Sequence, residues 1–175
     1  RISVVRMFVV AAFSIGLVAL GSRWAFMRLT AQDSPASATW SAPYVDVTLT
    51  PEFHFEDPAA EPSQNVVLGF VVADPGDGCT PSWGTYYSLD AAARALDLDR
   101  RIVRLRESGG DAIVSFGGAV NNELAVTCDD AGKLQAAYQQ VIDRYNLTAV
   151  DFDIEGSALS NADANARRVA AIKGV

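Results

Sequence analysis

Polar and apolar positions divide this 175-residue chain into three stretches of different character. From Met7 to Gly21 it reads MFVVAAFSIGLVALG, fifteen residues without a charge. Crossing a bilayer takes roughly 20 apolar residues and a secretory core about 15, so residues 1–30 are expected to be a signal peptide or an uncleaved signal-anchor. No small-x-small cleavage site closes the run, which favours the anchor. The first residue is Arg rather than Met, which suggests a start further upstream. Residues 31–41, AQDSPASATWS, are small, polar and proline-containing and read as a linker. Residues 42–175 alternate between the period of a strand and that of a helix.

Tyr44 to Thr48 is β-branched and alternating, the pattern of a first strand. Gln64 to Ala73, QNVVLGFVVA, is nearly all apolar, as in a strand buried on both faces, and Asp74-Pro75-Gly76-Asp77-Gly78 ends it with turn chemistry. Residues 90–107 carry apolar positions at helical spacing and stop at Gly109-Gly110. Asp111 to Phe116 is a third strand, closed by Gly117-Gly118. Asp130 to Tyr145 predicts a helix with Leu134, Ala137, Tyr138, Val141 and Tyr145 on one stripe. Thr148 to Ile154 predicts a fourth strand, and Asn161 to Lys173 a helix with Asn161 as its N-cap. Strands separated by helices imply right-handed crossovers and a parallel sheet. Four strands in this length match the pace of a (β/α)8 TIM barrel, of which about the first four strand–helix units are present. A doubly wound sheet shares the pattern, but no G-x-G-x-x-G follows the first strand.

The chain carries a formal charge of −7, which argues against nucleic acid as a partner. Residues 1–30 hold four arginines and no acid, so the body is more acidic than the whole. Cys79 and Cys128 suit one disulfide in an oxidising compartment, with two free buried thiols as the alternative. A zinc site is not implied, because His54 is the only histidine and sits in a loop-like segment, PEFHFEDP.

The chemistry concentrates in Asp151-Phe152-Asp153-Ile154-Glu155. In a strand, residues two apart share a face, about 6.6 Å from one another. Three carboxyls so placed cannot all ionise without cost, so they share protons and hydrogen bonds, and one pKa rises as a general acid requires. A solvated edge strand would show the same alternation, but Val150, Phe152 and Ile154 between the acids are large and apolar.

These residues resemble the core of the D-x-x-D-x-D-x-E signature of family-18 glycoside hydrolases, the chitinase family. Ser115-Phe116-Gly117-Gly118, one strand earlier, is similar to that family's S-x-G-G motif. The Phe-Asp-Ile-Glu wording resembles the plant-type and bacterial single-domain branch. The resemblance runs from about Tyr44 to Val175 and covers the N-terminal half of the barrel.

It implies that Glu155 is the general acid. Asp153 would orient the sugar's 2-acetamido group, and Asp151 would hold a proton with Asp153. The substrate's own acetamido oxygen then attacks the anomeric carbon, so hydrolysis proceeds with retention and without a protein nucleophile. Thr148-Ala149 stands where the signature begins Asp-Gly, which implies altered packing deep in the strand. The family's substrate-binding tyrosine and tryptophan come from later strands, and the present segment alone is expected to be inactive.

Around the acids, Ser115, Gly117 and Gly118 are expected to support the catalytic strand and to bind substrate, the glycines letting sugar approach the backbone. Trp83 and Tyr86-Tyr87 are candidates for stacking on sugar rings, and Asn121 and Asn122 for touching substrate. Cys79 and Cys128 follow neighbouring strands on one barrel face, and a bridge over about 50 residues would be worth roughly 4 kcal/mol. Asn146-Leu147-Thr148 matches a glycosylation sequon but leads into a strand expected to be buried.

The resulting expectation is an exported, membrane-tethered or extracellular, monomeric hydrolase of β-1,4-linked N-acetylglucosamine polymers. It needs no metal or organic cofactor, and its partners are the polysaccharide or oligosaccharide substrate and, if the apolar segment is uncleaved, the membrane. An endo-β-N-acetylglucosaminidase acting on glycans or peptidoglycan-like chains, and a non-catalytic carbohydrate-binding lectin, are the alternatives.

Overall fold

The computed structural model describes residues 41–61 and 63–175, and Ser41–Val175 forms one compact unit. The apolar segment and most of the linker lie outside the described residues. Among those described, no helix is long and apolar enough to cross a membrane.

Four strands, β1 (Tyr44–Asp46), β2 (Asn65–Asp74), β5 (Asp111–Gly117) and β6 (Val150–Asp153), lie parallel and side by side in chain order. Their register lines up Val45, Leu68, Val114 and Val150 in one row. That row and its neighbours face the helices: Leu98, Ile102 and Leu105 of α2 (Leu98–Glu107) and the whole predicted stripe of α4 (Ala131–Tyr145) are buried. The opposite face carries Ser115 beside Asp151 and Gly117 beside Asp153. Between Leu68 and Val71 the β2–β5 register slips, and the Gly69–Phe70 peptide there is cis.

Several boundaries differ from expectation, each for a local reason. The predicted helix over residues 90–107 is two, α1 (Leu89–Ala95) and α2, broken where Asp97 takes φ +52°. Leu96 and Leu98 are both buried, yet two residues apart they would point to opposite sides of a continuous helix. The break lets both reach the core, and Asp97 tolerates the left-handed conformation while pairing with Arg100 and Arg104. α2 ends as predicted: Gly109 at φ +91° lets the Gly110 amide donate to Leu105 O at 3.0 Å.

The segment read only as turn and loop after the second strand is an antiparallel extension, β3 (Asp77–Trp83) and β4 (Tyr87–Ser88). Cys79 on β3 is bridged to Cys128, which follows the short helix α3 (Leu124–Thr127), with Cα atoms 4.6 Å apart. Beside the bridge, the Thr127 hydroxyl donates to Gly78 O at 3.0 Å.

No helix lies in the first crossover among its described residues. Phe55 is buried instead beneath the Arg101 guanidinium at 4.4 Å, and Arg101 also binds Glu56 at 3.0 Å. His54 lies in this loop, exposed beside Glu56. After β6, a 3-10 turn (Gly156–Ala158) leads to α5 (Ala162–Ile172), whose N-cap Asn161 accepts from the Ala164 amide at 3.0 Å. The sequon is not buried: Asn146 and Thr148 are exposed, because β6 begins only at Val150.

Candidate active site

The acid triplet stands at the C-terminal end of β6. Phe152 points to the helix side, stacked on Phe116 at 5.3 Å and edge-on to Tyr138 at 5.2 Å. Alternation therefore turns Asp151 and Asp153 to the other face, as the spacing requires.

Asp151 is the anchored member. Its Oδ2 accepts from the Ser115 hydroxyl at 2.7 Å and from the Tyr44 hydroxyl at 3.0 Å. Loss of solvent around the Tyr44 hydroxyl, then its bond to Asp151 and the charges of both aspartates, raise its pKa. At the outer end, the negative charge of Asp153 raises the Glu155 carboxyl above the ordinary glutamate value, helped by slight desolvation and a shared hydrogen bond. Three acids thus form a line from Asp151, held by two donors, to the exposed Glu155, whose pKa its neighbour raises.

Two glycines let β5 approach this line. A Cβ on Gly117 would lie 2.2 Å from the Asp153 carbonyl oxygen, and the Gly118 amide donates to that same oxygen at 2.8 Å. A Cβ on Gly118 would press on the Phe70 ring at 3.0 Å, and both glycines have φ near +100° (+107° and +93°). The S-F-G-G spacing has a physical cause here, since only glycine takes this backbone at this distance.

Glu155, Gly117, Gly118 and Asn121 line one cleft of about 490 Å³, together with Asp46, Phe70 and Tyr86. Asn121 spans it, its carboxamide donating to Gly84 O at 3.3 Å. Tyr86 is 74% exposed at its edge. Asn122 lies in an adjoining polar cavity with Asp74 and Thr127.

Two expectations need correction. Trp83 is fully buried, its indole N–H donating to the Tyr145 hydroxyl at 2.9 Å. It is a core residue, because β3 turns that side chain inward under the sheet, and it cannot stack on a sugar. Ser115 is also fully buried and uses its hydroxyl on Asp151, so it supports a carboxylate and does not touch substrate. Conversely, Tyr44 and Asp46 were not singled out as site residues. Their signal was present in the alternation of Tyr44-Val45-Asp46, which puts both on the face of the acids.

No protein-family model matches the chain. It is 38% identical over 138 residues to the probable bifunctional chitinase/lysozyme of Escherichia coli (strain K12), covering 77% of this chain and 15% of that protein. It is 37% identical over 140 residues to endochitinase 11 of Metarhizium anisopliae, covering 77% and 24%. Among solved structures, the catalytic domain of the hyperthermophilic chitinase from Pyrococcus furiosus superposes with a TM-score of 0.57 at 31% identity, over 66% of this chain and 36% of that one. The chain therefore spans a quarter or less of the curated relatives it matches. The two motifs, their meeting at one cleft and these likenesses agree: the chain belongs to the family-18 glycoside hydrolases, the chitinase family.

Proposed function

We propose that the protein of which this chain is part hydrolyses β-1,4-linked N-acetylglucosamine polymers, with retention and by substrate assistance. The observation that carries the reading is the line of acids, with Asp151 held by Tyr44 and Ser115 and the Glu155 carboxyl raised above the ordinary glutamate value by the charge of Asp153. Glu155 faces the cleft and donates its proton to the glycosidic oxygen. As that proton is transferred, the glycosidic C–O bond breaks and the leaving sugar departs as an alcohol. The acetamido oxygen meanwhile closes on the anomeric carbon, and Asp153 offsets the positive charge that develops on the acetamido nitrogen. Asp151 sets the charge available to Asp153. Glu155 then takes a proton from the incoming water, whose oxygen attacks the anomeric carbon as the bond to the acetamido oxygen breaks. Gly117, Gly118 and Asn121 form the wall against which the sugar lies, and Tyr86 its exposed aromatic edge.

The parallel strands in chain order, with their acids at the C-terminal end, support a (β/α)8 barrel of which residues 42–175 form the first four units. In a closed barrel, further strands would cover the outer edges of β1 and β6. The apolar run Met7–Gly21 supports export, as a cleaved leader or a membrane anchor, and the disulfide suits that compartment.

In the full-length protein, Glu155→Gln is expected to lower turnover of chito-oligosaccharides about 10²–10⁴-fold while leaving their binding intact. Unchanged turnover would refute the assignment. A second reading, cleavage of peptidoglycan-like chains, is favoured by the chitinase/lysozyme naming of the E. coli relative. Comparing release from chitin oligomers with release from peptidoglycan separates the two.

A further inference from the structure

Beneath the cleft lies a buried ion pair that the proposed mechanism does not use. Glu123, at the N-cap of α3, and Arg168, on α5, have side chains only 5% and 8% exposed and meet at 2.7 Å. The Tyr138 hydroxyl donates to the same carboxylate at 3.3 Å, and Arg168 also binds Asn165 at 2.6 Å. A pair this enclosed gains little net stability, because desolvating two charges offsets their attraction. Its directional bonds instead fix the relative places of the groups it joins.

Those groups are the two segments that carry the site. Glu123 follows the Gly117-Gly118 turn and Arg168 follows the acid strand, so the pair ties the two outgoing chains together. The Glu123 stem lies 3.6 Å from the position of a Cβ on Gly117, on the residue that abuts the Asp153 carbonyl. Tyr138 packs edge-on against Phe116 at 4.9 Å and Phe152 at 5.2 Å, the residues preceding Gly117 and Asp153. The network therefore reaches the ends of β5 and β6 through backbone and through rings.

We infer that Glu123 and Arg168 are positioning residues, which set the spacing of Asp153 and Glu155 through Gly117 and the Phe116–Phe152–Tyr138 stack. This rests on the hydrolase reading only where turnover is concerned; the spacing itself can be read without it.

The test uses the full-length chain with Glu123→Met and Arg168→Met combined, which fills the space without leaving a lone buried charge. Carboxyl 13C NMR follows the titration of Glu155, and N-acetylchitotetraose serves as substrate. The Glu155 midpoint is expected to fall by about half a pH unit as Asp153 and Glu155 drift apart. In parallel, kcat should drop about tenfold with KM within twofold. Arg168→Lys, which keeps the charge, should restore both. A midpoint equal to the parent's overturns the inference. If the parent releases no product, the hydrolase reading falls, while the midpoint still decides the positioning role. Should the double variant not fold, Tyr138→Phe removes one bond to Glu123 and is read the same way, with a smaller drop expected and no drop overturning the inference.

Discussion

Replacing Gly117 with alanine puts a methyl carbon where the Asp153 carbonyl oxygen already stands, 2.2 Å away. Contacts under 3.0 Å essentially never occur for a real Cβ, so β5 and β6 must part by close to 1 Å. The Gly118 N–H bond to the same oxygen, 2.8 Å long, then stretches beyond use. Holding alanine at φ +107° costs about 1–3 kcal/mol, and losing the bond costs about 1 kcal/mol more. The total is about 2–4 kcal/mol. Gly109 provides the control: it also has positive φ, +91°, but nothing lies within 4 Å of its Cβ position. Gly109→Ala should therefore carry the conformational cost alone, about 1–3 kcal/mol, with no clash and no lost bond to add to it. Urea unfolding of both variants at constant m value measures the difference. If Gly117→Ala loses no more stability than Gly109→Ala, the close approach of β5 to Asp153 is not what the glycine serves.

Other consequences are independent of that one. Cys79 and Cys128 close a loop with a sequence separation of 49, so Cys79→Ser with Cys128→Ser should cost about 4 kcal/mol in urea unfolding. A loss below about 1 kcal/mol would contradict the loop-entropy estimate. Trp83→Phe leaves the Tyr145 hydroxyl without its 2.9 Å donor and should cost about 1–3 kcal/mol in the same assay. The KM for oligosaccharides should not move; a rise would return Trp83 to the substrate. Ser115→Ala removes the 2.7 Å donor to Asp151 and should lower kcat about tenfold at unchanged KM, since a charge-assisted bond is lost. A change confined to KM would mean that Ser115 touches sugar after all.

What was legible in the sequence was periodicity and spacing. The α4 stripe from Leu134 to Tyr145 appears in the structure residue for residue, because a strong 3.6-residue pattern leaves one face to bury. The shared face of Asp151 and Asp153 followed from the strand period alone, and the resemblance supplied their roles. Pairing across the sheet was not legible. β3 reads D-G-C-T-P-S-W, whose glycine and proline argue against a strand, and only its partner β2 makes it one. Trp83 was misplaced for the same reason, since a residue's direction is undefined until its strand has a register. Ser115 was correctly tied to the acids, but its burial depends on neighbours outside its own segment. Tyr44 was missed because its hydroxyl meets Asp151 across 107 residues of chain. The Glu123–Arg168 pair is likewise long-range, at 45 residues, and neither partner has a local pattern that marks it.

The most direct test of the proposed proton line is the titration of Glu155 by carboxyl 13C NMR, in the parent and in Asp153→Asn. The charge of Asp153 holds the proton on Glu155, so the acid form should persist as pH rises past the ordinary glutamate value. In Asp153→Asn that charge is gone, and the Glu155 midpoint should move to lower pH, taking the alkaline limb of any hydrolysis profile with it. A parent Glu155 that titrates at or below the ordinary value, or one that Asp153→Asn leaves unmoved, would contradict a shared proton between these acids.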